Sequence, residues 1–213
     1  MRIYAVADIH GKRERIGRIR RYVSELEPNV LVVAGDITNY TDSLPVIDEL
    51  NDMPVPVLAV RGNSDLPRVE TLLEDASNIF PLHMNNHTIQ GVSFVGVGGT
   101  IPLPFYSRIC WTEGGAIERL ETLLDDQSVL VAHPPPRGVL DEAFGRFHAG
   151  SAGLCKVIEK CRPRLCICGH IHERPGWEHL GKTLVVNCNM GKGGGGALVT
   201  YDGGDAVDVD MLP

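Results

Sequence analysis

Ile3-Tyr4-Ala5-Val6-Ala7 runs directly into Asp8-Ile9-His10-Gly11. A short apolar run of this kind reads as a buried strand, and the turn that follows it carries side chains able to bind metal. The pattern recurs along the chain. Gly35-Asp36 follows Val30–Ala34, Gly62-Asn63 follows Val55–Val60, and His133 follows Val129-Leu130-Val131-Ala132. Gly169-His170-Ile171-His172 follows Leu165-Cys166-Ile167-Cys168. Ligands delivered from the carboxyl ends of several strands converge on one edge of a sheet, where open α/β folds place their sites. Any one of these turns is ordinary, because Gly-Asp and Gly-Asn are turn chemistry and an Asp after a strand commonly caps a helix. Asp-x-His and Gly-His-x-His are harder to dismiss, since each sets two ligands at neighbouring positions of one strand end. Together the five turns point to a metal centre.

Between these runs lie helical patterns. Ile16, Ile19, Val23 and Leu26 recur at helical spacing, and further helices are expected near Leu44–Leu50 and Leu66–Asp75. That alternation is the βαβ rhythm of a parallel sheet. Later, His87–Gln90 and Val92–Val97 flank Gly91 as a hairpin, followed by helices near Ala116–Asp125 and Ala152–Cys161. Short strands are expected near Leu184–Val186, Ala197–Tyr201 and Ala206–Val209. No repeat, linker or composition break divides the 213 residues, so one domain over 1–213 is expected. Two mixed sheets packed together and covered by helices satisfy this order.

Composition excludes several classes. A hydrophobic share of 43% with 22% charged residues describes a soluble globular chain. No apolar stretch reaches the roughly 20 residues that span a bilayer. The first strand already holds candidate ligands, which speaks against a cleaved signal peptide and makes the cytoplasm the expected location. The six cysteines contain no C-x-x-C pair, and Cys166 and Cys168 fit zinc spacing poorly. They read as small buried hydrophobes. A net charge of −7 argues against nucleic acid as a partner. The basic face from Lys12 to Arg21 reads as a solvated helix surface; the alternative is that Lys12 helps attract a phosphate to the helix amino terminus.

Carboxylate, imidazole and carboxamide without thiolate suit Mn, Fe, Zn, Co or Ni. Asp8, His10, Asp36, Asn63, His133, His170 and His172 are too many ligands for one tetrahedral zinc. They suit two divalent metal ions about 3.5–4 Å apart, the arrangement used in phosphoryl displacement. One carboxylate must then bridge, and Asp36, midway in the order of motifs, is the natural candidate.

With these residues laid out, the chain resembles the calcineurin-like metallophosphoesterase family from Asp8 to His172. The resemblance implies a four-layer α/β/β/α sandwich. It assigns one metal to Asp8, His10, Asp36 and His172, and the other to Asp36, Asn63, His133 and His170. It further implies hydrolysis of a small-molecule phosphate ester by in-line attack of a metal-bridging hydroxide. His148-Ala149-Gly150-Ser151, Cys168–Glu173 and Val185-Val186-Asn187 look like the small prokaryotic and archaeal branch of that family.

One block departs from the family pattern. Many members carry a histidine after the Gly-Asn pair, where it binds substrate phosphate and protonates the leaving oxygen; here the block reads Gly62-Asn63-Ser64-Asp65. A serine hydroxyl donates hydrogen bonds but is too weak an acid to replace imidazole. Some relatives have cysteine there and look like phosphodiesterases, so Ser64 tilts the expectation toward diesters. His148 is the candidate substitute for the missing acid; the alternative is an ordinary surface-loop histidine. Arg137 and Arg146 are weaker candidates for phosphate contact. Gly191–Gly196 is not a P-loop, because no Ser or Thr follows Lys192 and no helix pattern follows the glycines. The segment from Ile101 to Trp111 is a lid, a subunit interface of a homo-oligomer, or plain packing. Three competing functions remain at this stage: a phosphomonoesterase, a nuclease, and a metal-binding scaffold that has kept the fold without the activity.

Overall fold

The apolar runs form two six-stranded mixed sheets, and the chain adopts the expected α/β/β/α arrangement. In the computed structural model, residues 1–40, 43–103, 106–108, 113–145, 147–201 and 207–213 are described. Arg146, Cys110 and the 104–105 and 109–112 parts of the aromatic segment lie outside them. The first sheet runs edge to edge as Val207–Leu212, Gly196–Tyr201, Arg2–Val6, Val30–Ala34, Val57–Val60 and Ile79–Pro81. The second runs as Gly176–Leu180, Thr183–Asn187, Leu165–Cys168, Val129–Ala132, Val92–Val97 and Asn85–Ile89.

Parallel pairing runs from Arg2–Val6 out to the Ile79–Pro81 edge of the first sheet and through the middle of the second. Arg2–Val6, Val30–Ala34 and Val57–Val60 are mutually parallel in the first, as are Val129–Ala132, Leu165–Cys168 and Thr183–Asn187 in the second. These strands are buried on both faces, which explains why they read as continuous apolar runs rather than alternating ones. Side-chain alternation divides them between layers. Ile3, Val30, Val32, Leu58 and Val60 meet Phe94, Val129, Val131 and Leu165 between the sheets. Tyr4, Leu31 and Val33 face outward against the helices Arg13–Leu26 (α1), Leu44–Asn51 (α2) and Arg68–Asp75 (α3). Leu130, Cys166 and Val185 face the opposite way, against Glu113–Leu123 (α4) and Ala152–Cys161 (α5).

This order brings the carboxyl ends of the central strands of both sheets to one edge. The stretch after Thr183–Asn187 ties the sheets together there, since Ala7 N–H donates to the Cys188 carbonyl at 3.2 Å and Met190 N–H to the Ala7 carbonyl at 3.0 Å. Two small ribbons complete the fold: 101–103 pairs with 106–108, and Glu142–Ala143 pairs with Phe147–His148. Among the described residues, no helix is long and apolar enough to cross a membrane.

Candidate metal centre

The turns bearing the candidate ligands are stitched to one another by backbone hydrogen bonds. Asp8 N–H donates to the Gly35 carbonyl at 3.0 Å, His10 N–H to the Asp36 carbonyl at 2.8 Å, and Gly11 N–H to the Ile37 carbonyl at 2.9 Å. In the second sheet, Gly169 N–H donates to the His133 carbonyl at 2.9 Å. These bonds hold Asp8, His10, Asp36 and His170 at φ values of 60°, 53°, 51° and 69°. The left-handed region costs a non-glycine residue roughly 1–2 kcal/mol, and such outliers gather at functional sites. Two glycines are required by close approach: a Cβ on Gly62 would collide with the Asp36 carboxylate, and one on Gly169 with Ala7 and Asp8.

The side chains converge around Asp36. Its Oδ2 lies 3.7 Å from His10 Nε2, and its Oδ1 lies 3.4 Å from His133 Nε2. Asp8 Oδ1 is 3.1 Å from His172 Nε2 and 3.9 Å from His10 Nε2. Asn63 Oδ1 sits 3.1 Å from His133 Nε2, and the His133 and His170 rings are 5.0 Å apart. Asp8, His10 and His172 can share one cation, as can Asp8, Asp36 and His133. Asp36 thus has a histidine on each of its two oxygens.

Residues around the candidate ligands hold this arrangement. Asp65, buried, accepts from the backbone N–H groups of Gly62, Ile37 and Thr38 and from the Thr38 hydroxyl, at 2.7–3.1 Å. It therefore ties the Asn63 turn to the Asp36 turn. Asn187 and Asn189 both donate through Nδ2 to the Ile171 carbonyl, at 2.9 and 3.1 Å, clamping the residue between His170 and His172. Arg15 donates to the Asp8 carbonyl; on this basic helix it is Arg15, one turn in, that reaches the ligand turn, while Lys12 stands exposed at the helix start. Ser64 is buried, with its hydroxyl donating to the Thr38 carbonyl at 2.9 Å.

The electrostatics favour cations. Burial disfavours the Asp36 carboxylate, but His133 beside it and the Ser64 N–H hold its pKa below the ordinary range. Burial likewise opposes a charged His133, and Asp36 overcomes this, so the pKa of His133 is pushed up to about 9. His170, buried and facing His133, drops to about 4. His133 Nδ1 donates to the Ala34 carbonyl at 2.8 Å, which turns Nε2 toward Asp36 and Asn63. Ionised oxygens, oriented imidazoles and a single carboxamide fit divalent ions, and a cation would take the place of the proton on His133.

The remaining candidates lie elsewhere. His148 sits on the Phe147–His148 ribbon, half-exposed, with Nδ1 2.7 Å from Asp141 Oδ1. Asp141 is buried and also accepts from Gly150 N–H at 3.0 Å. Its hydrogen bond raises the His148 pKa, and Arg137 is close enough to oppose that rise. This hairpin is fastened to the metal edge on two sides: Ser151 N–H donates to the Pro135 carbonyl at 2.9 Å, two residues beyond His133, and Arg174 pairs with Glu142 at 3.4 Å, two residues beyond His172. Gly191–Gly193 forms a short 3-10 turn between strands, held by Arg18 through the Gly193 and Gly194 carbonyls. Cys166 and Cys168 are buried thiols whose pKa values burial pushes up.

Two six-stranded sheets between helices, with Asp, His and Asn gathered at the strand ends, define a metal-binding α/β protein. Residues 1–174 match the calcineurin-like phosphoesterase model, and the chain belongs to that family. Members of the family use dinuclear metal centres. An uncharacterised protein of Methanocaldococcus jannaschii is 32% identical over 198 residues, covering 88% of this chain and 87% of that one. A dimetal phosphatase from Danio rerio is similar in structure, with a TM-score of 0.69 at 13% identity over 100% of this chain and 96% of that one. A novel archaeal phosphodiesterase is similar with a TM-score of 0.59 at 16% identity over 100% of both chains.

Proposed function

We propose that this chain is a dinuclear-metal phosphodiesterase acting on small-molecule esters in the cytoplasm, with residues 1–213 forming one domain. Asp8, His10, Asp36 and His172 hold one ion, and Asp36, Asn63, His133 and His170 hold the other. The observation that carries this reading is the Asp36 carboxylate, with one oxygen toward His10 and the other toward His133. Two such ions, when bound, polarise phosphoryl oxygens and lower the pKa of water.

The chain's own residues supply the rest. His148, held through Nδ1 by Asp141 and protonated more readily because of it, donates a proton to the leaving oxygen as that oxygen departs. Asp141 fixes the ring so that Nε2 is the donating atom. Arg137, whose positive charge is felt at His148, neutralises phosphate charge. The preference for diesters rests on Ser64, whose buried hydroxyl is committed to Thr38 and is not free to serve a monoester dianion as the family's histidine does. A net charge of −7 favours small esters over nucleic acid.

The test is a side-by-side measurement of kcat/KM on bis(p-nitrophenyl) phosphate and p-nitrophenyl phosphate with Mn²⁺-reconstituted protein. Faster turnover of the diester supports the reading. Faster turnover of the monoester makes the chain a phosphomonoesterase built on the same metals. No turnover of either, with both ions bound, makes it a scaffold.

A further inference from the structure

We propose that Ser64 is a positioning residue that fixes the tautomer of His10, turning its Nε2 lone pair toward the cations; this rests on reading the strand edge as a metal centre. A serine hydroxyl has one proton to give and lone pairs to receive. Ser64 Oγ lies 2.9 Å from the Thr38 carbonyl oxygen, which can only accept, so the proton goes there. The same Oγ lies 3.3 Å from His10 Nδ1. With the hydroxyl proton committed to Thr38, Oγ meets His10 as an acceptor, and Nδ1 is the nitrogen that carries hydrogen. The lone pair of the neutral ring is then on Nε2, the atom 3.7 Å from Asp36 Oδ2 and 3.9 Å from Asp8 Oδ1. The opposite tautomer would point an N–H at the place where a cation must bind.

The relay is itself held in place. Thr38 donates through its backbone N–H and its hydroxyl to Asp65 Oδ1, at 2.7 and 2.9 Å, which fixes the direction of its carbonyl. Ser64 N–H donates to Asp36 Oδ1 at 2.8 Å, so one residue touches ligands of both ions. Ser64 and Thr38 are both buried, and bulk water does not compete for the hydroxyl proton. On the other side of Asp36, the Ala34 carbonyl does the same for His133 Nδ1 at 2.8 Å. The centre thus orients one histidine with a backbone carbonyl and the other with a serine relay. Of these two orienting oxygens, the Ser64 hydroxyl is the one a substitution can remove.

The experiment combines Mn²⁺ titration calorimetry with long-range ¹H–¹⁵N spectra of the histidine rings, the latter recorded without added metal above neutral pH. Wild type and Ser64→Thr, which keeps the hydroxyl, should bind two Mn²⁺ per chain and show His10 as the Nδ1–H tautomer. Ser64→Ala should weaken one of the two ions by about 10–100-fold, the usual cost of losing a residue that orients a ligand, and should shift His10 toward Nε2–H. Unchanged affinities in Ser64→Ala, or an Nε2–H ring in the wild type, would overturn the proposal. The wild-type spectrum decides the relay even if Ser64→Ala fails to fold. A wild type that takes up no Mn²⁺ would sink the metal centre itself, and the spectrum would still report on the relay separately.

Discussion

The metal edge and the Glu142–His148 hairpin are fastened to each other yet built by opposite rules. At the metal edge the ligands leave doubly buried strands, Asp8, Asp36 and His133 are buried, and each turn is hydrogen-bonded to another. On the hairpin Phe144 is 84% exposed and Phe147 38%, and the His148 ring is held by Asp141 alone among the described residues. Rigidity at the edge keeps several charged groups together despite their desolvation and backbone strain. In the proposed function the exposed hairpin residues set substrate choice, since exposed loops on a rigid scaffold are where specificity is commonly placed. On that reading, binding power and substrate choice are separable.

Substitutions can break that separation. The largest effect is expected from Asp36→Ala, which removes the carboxylate common to both proposed ion sites. Turnover of bis(p-nitrophenyl) phosphate should fall by about 10³-fold or more, as the loss of several kcal/mol of transition-state stabilisation requires. Far-UV circular dichroism should stay native, and a variant with wild-type turnover would disprove the bridging role. Next comes His148→Ala, read with an alkyl leaving group. A loss of about 10²-fold is expected there, with far less on nitrophenyl esters, which need no proton. Equal losses on both would make His148 structural rather than an acid.

Asp141→Asn tests the partner of that histidine. The carboxylate raises the His148 pKa, so the ring stays protonated further up the pH scale with it than without it. Removing the charge should move the alkaline fall in kcat/KM to lower pH, leaving the rate at the acidic end little changed. A fixed alkaline limb would take His148 out of the reaction. The smallest effect is expected from Phe144→Ala. An exposed side chain should change stability by no more than about 0.5 kcal/mol, while KM for an aromatic diester should rise; thermal melting and steady-state kinetics on one preparation check both.

The same contrast explains what could be read from the sequence. Strands such as Val129–Ala132 and Leu165–Cys168 were legible because both faces are covered, leaving unbroken apolar runs that end at the ligands. The edge strand Gly176–Leu180, with Trp177, Glu178 and His179 exposed, carries no such signal, and Ile79–Pro81 is too short to carry one. The supports were hidden for a different reason. Asn187 and Asn189 reach back to Ile171, and Asp65 to Ile37 and Thr38, through contacts that only the folded chain creates. Asp141 had a weak signal at most, an acid shortly before a candidate acid catalyst. Ser64 was visible as a departure, but its duty toward His10 depends on a hydroxyl direction that spacing does not encode.

The central claim is that two cations share Asp36. Electron paramagnetic resonance of the protein titrated with Mn²⁺ tests it most directly. Two Mn²⁺ per chain giving an exchange-coupled spectrum, which reverts to isolated ions in Asp36→Ala, is the predicted result. A single ion at saturation, or two that never couple, would contradict it.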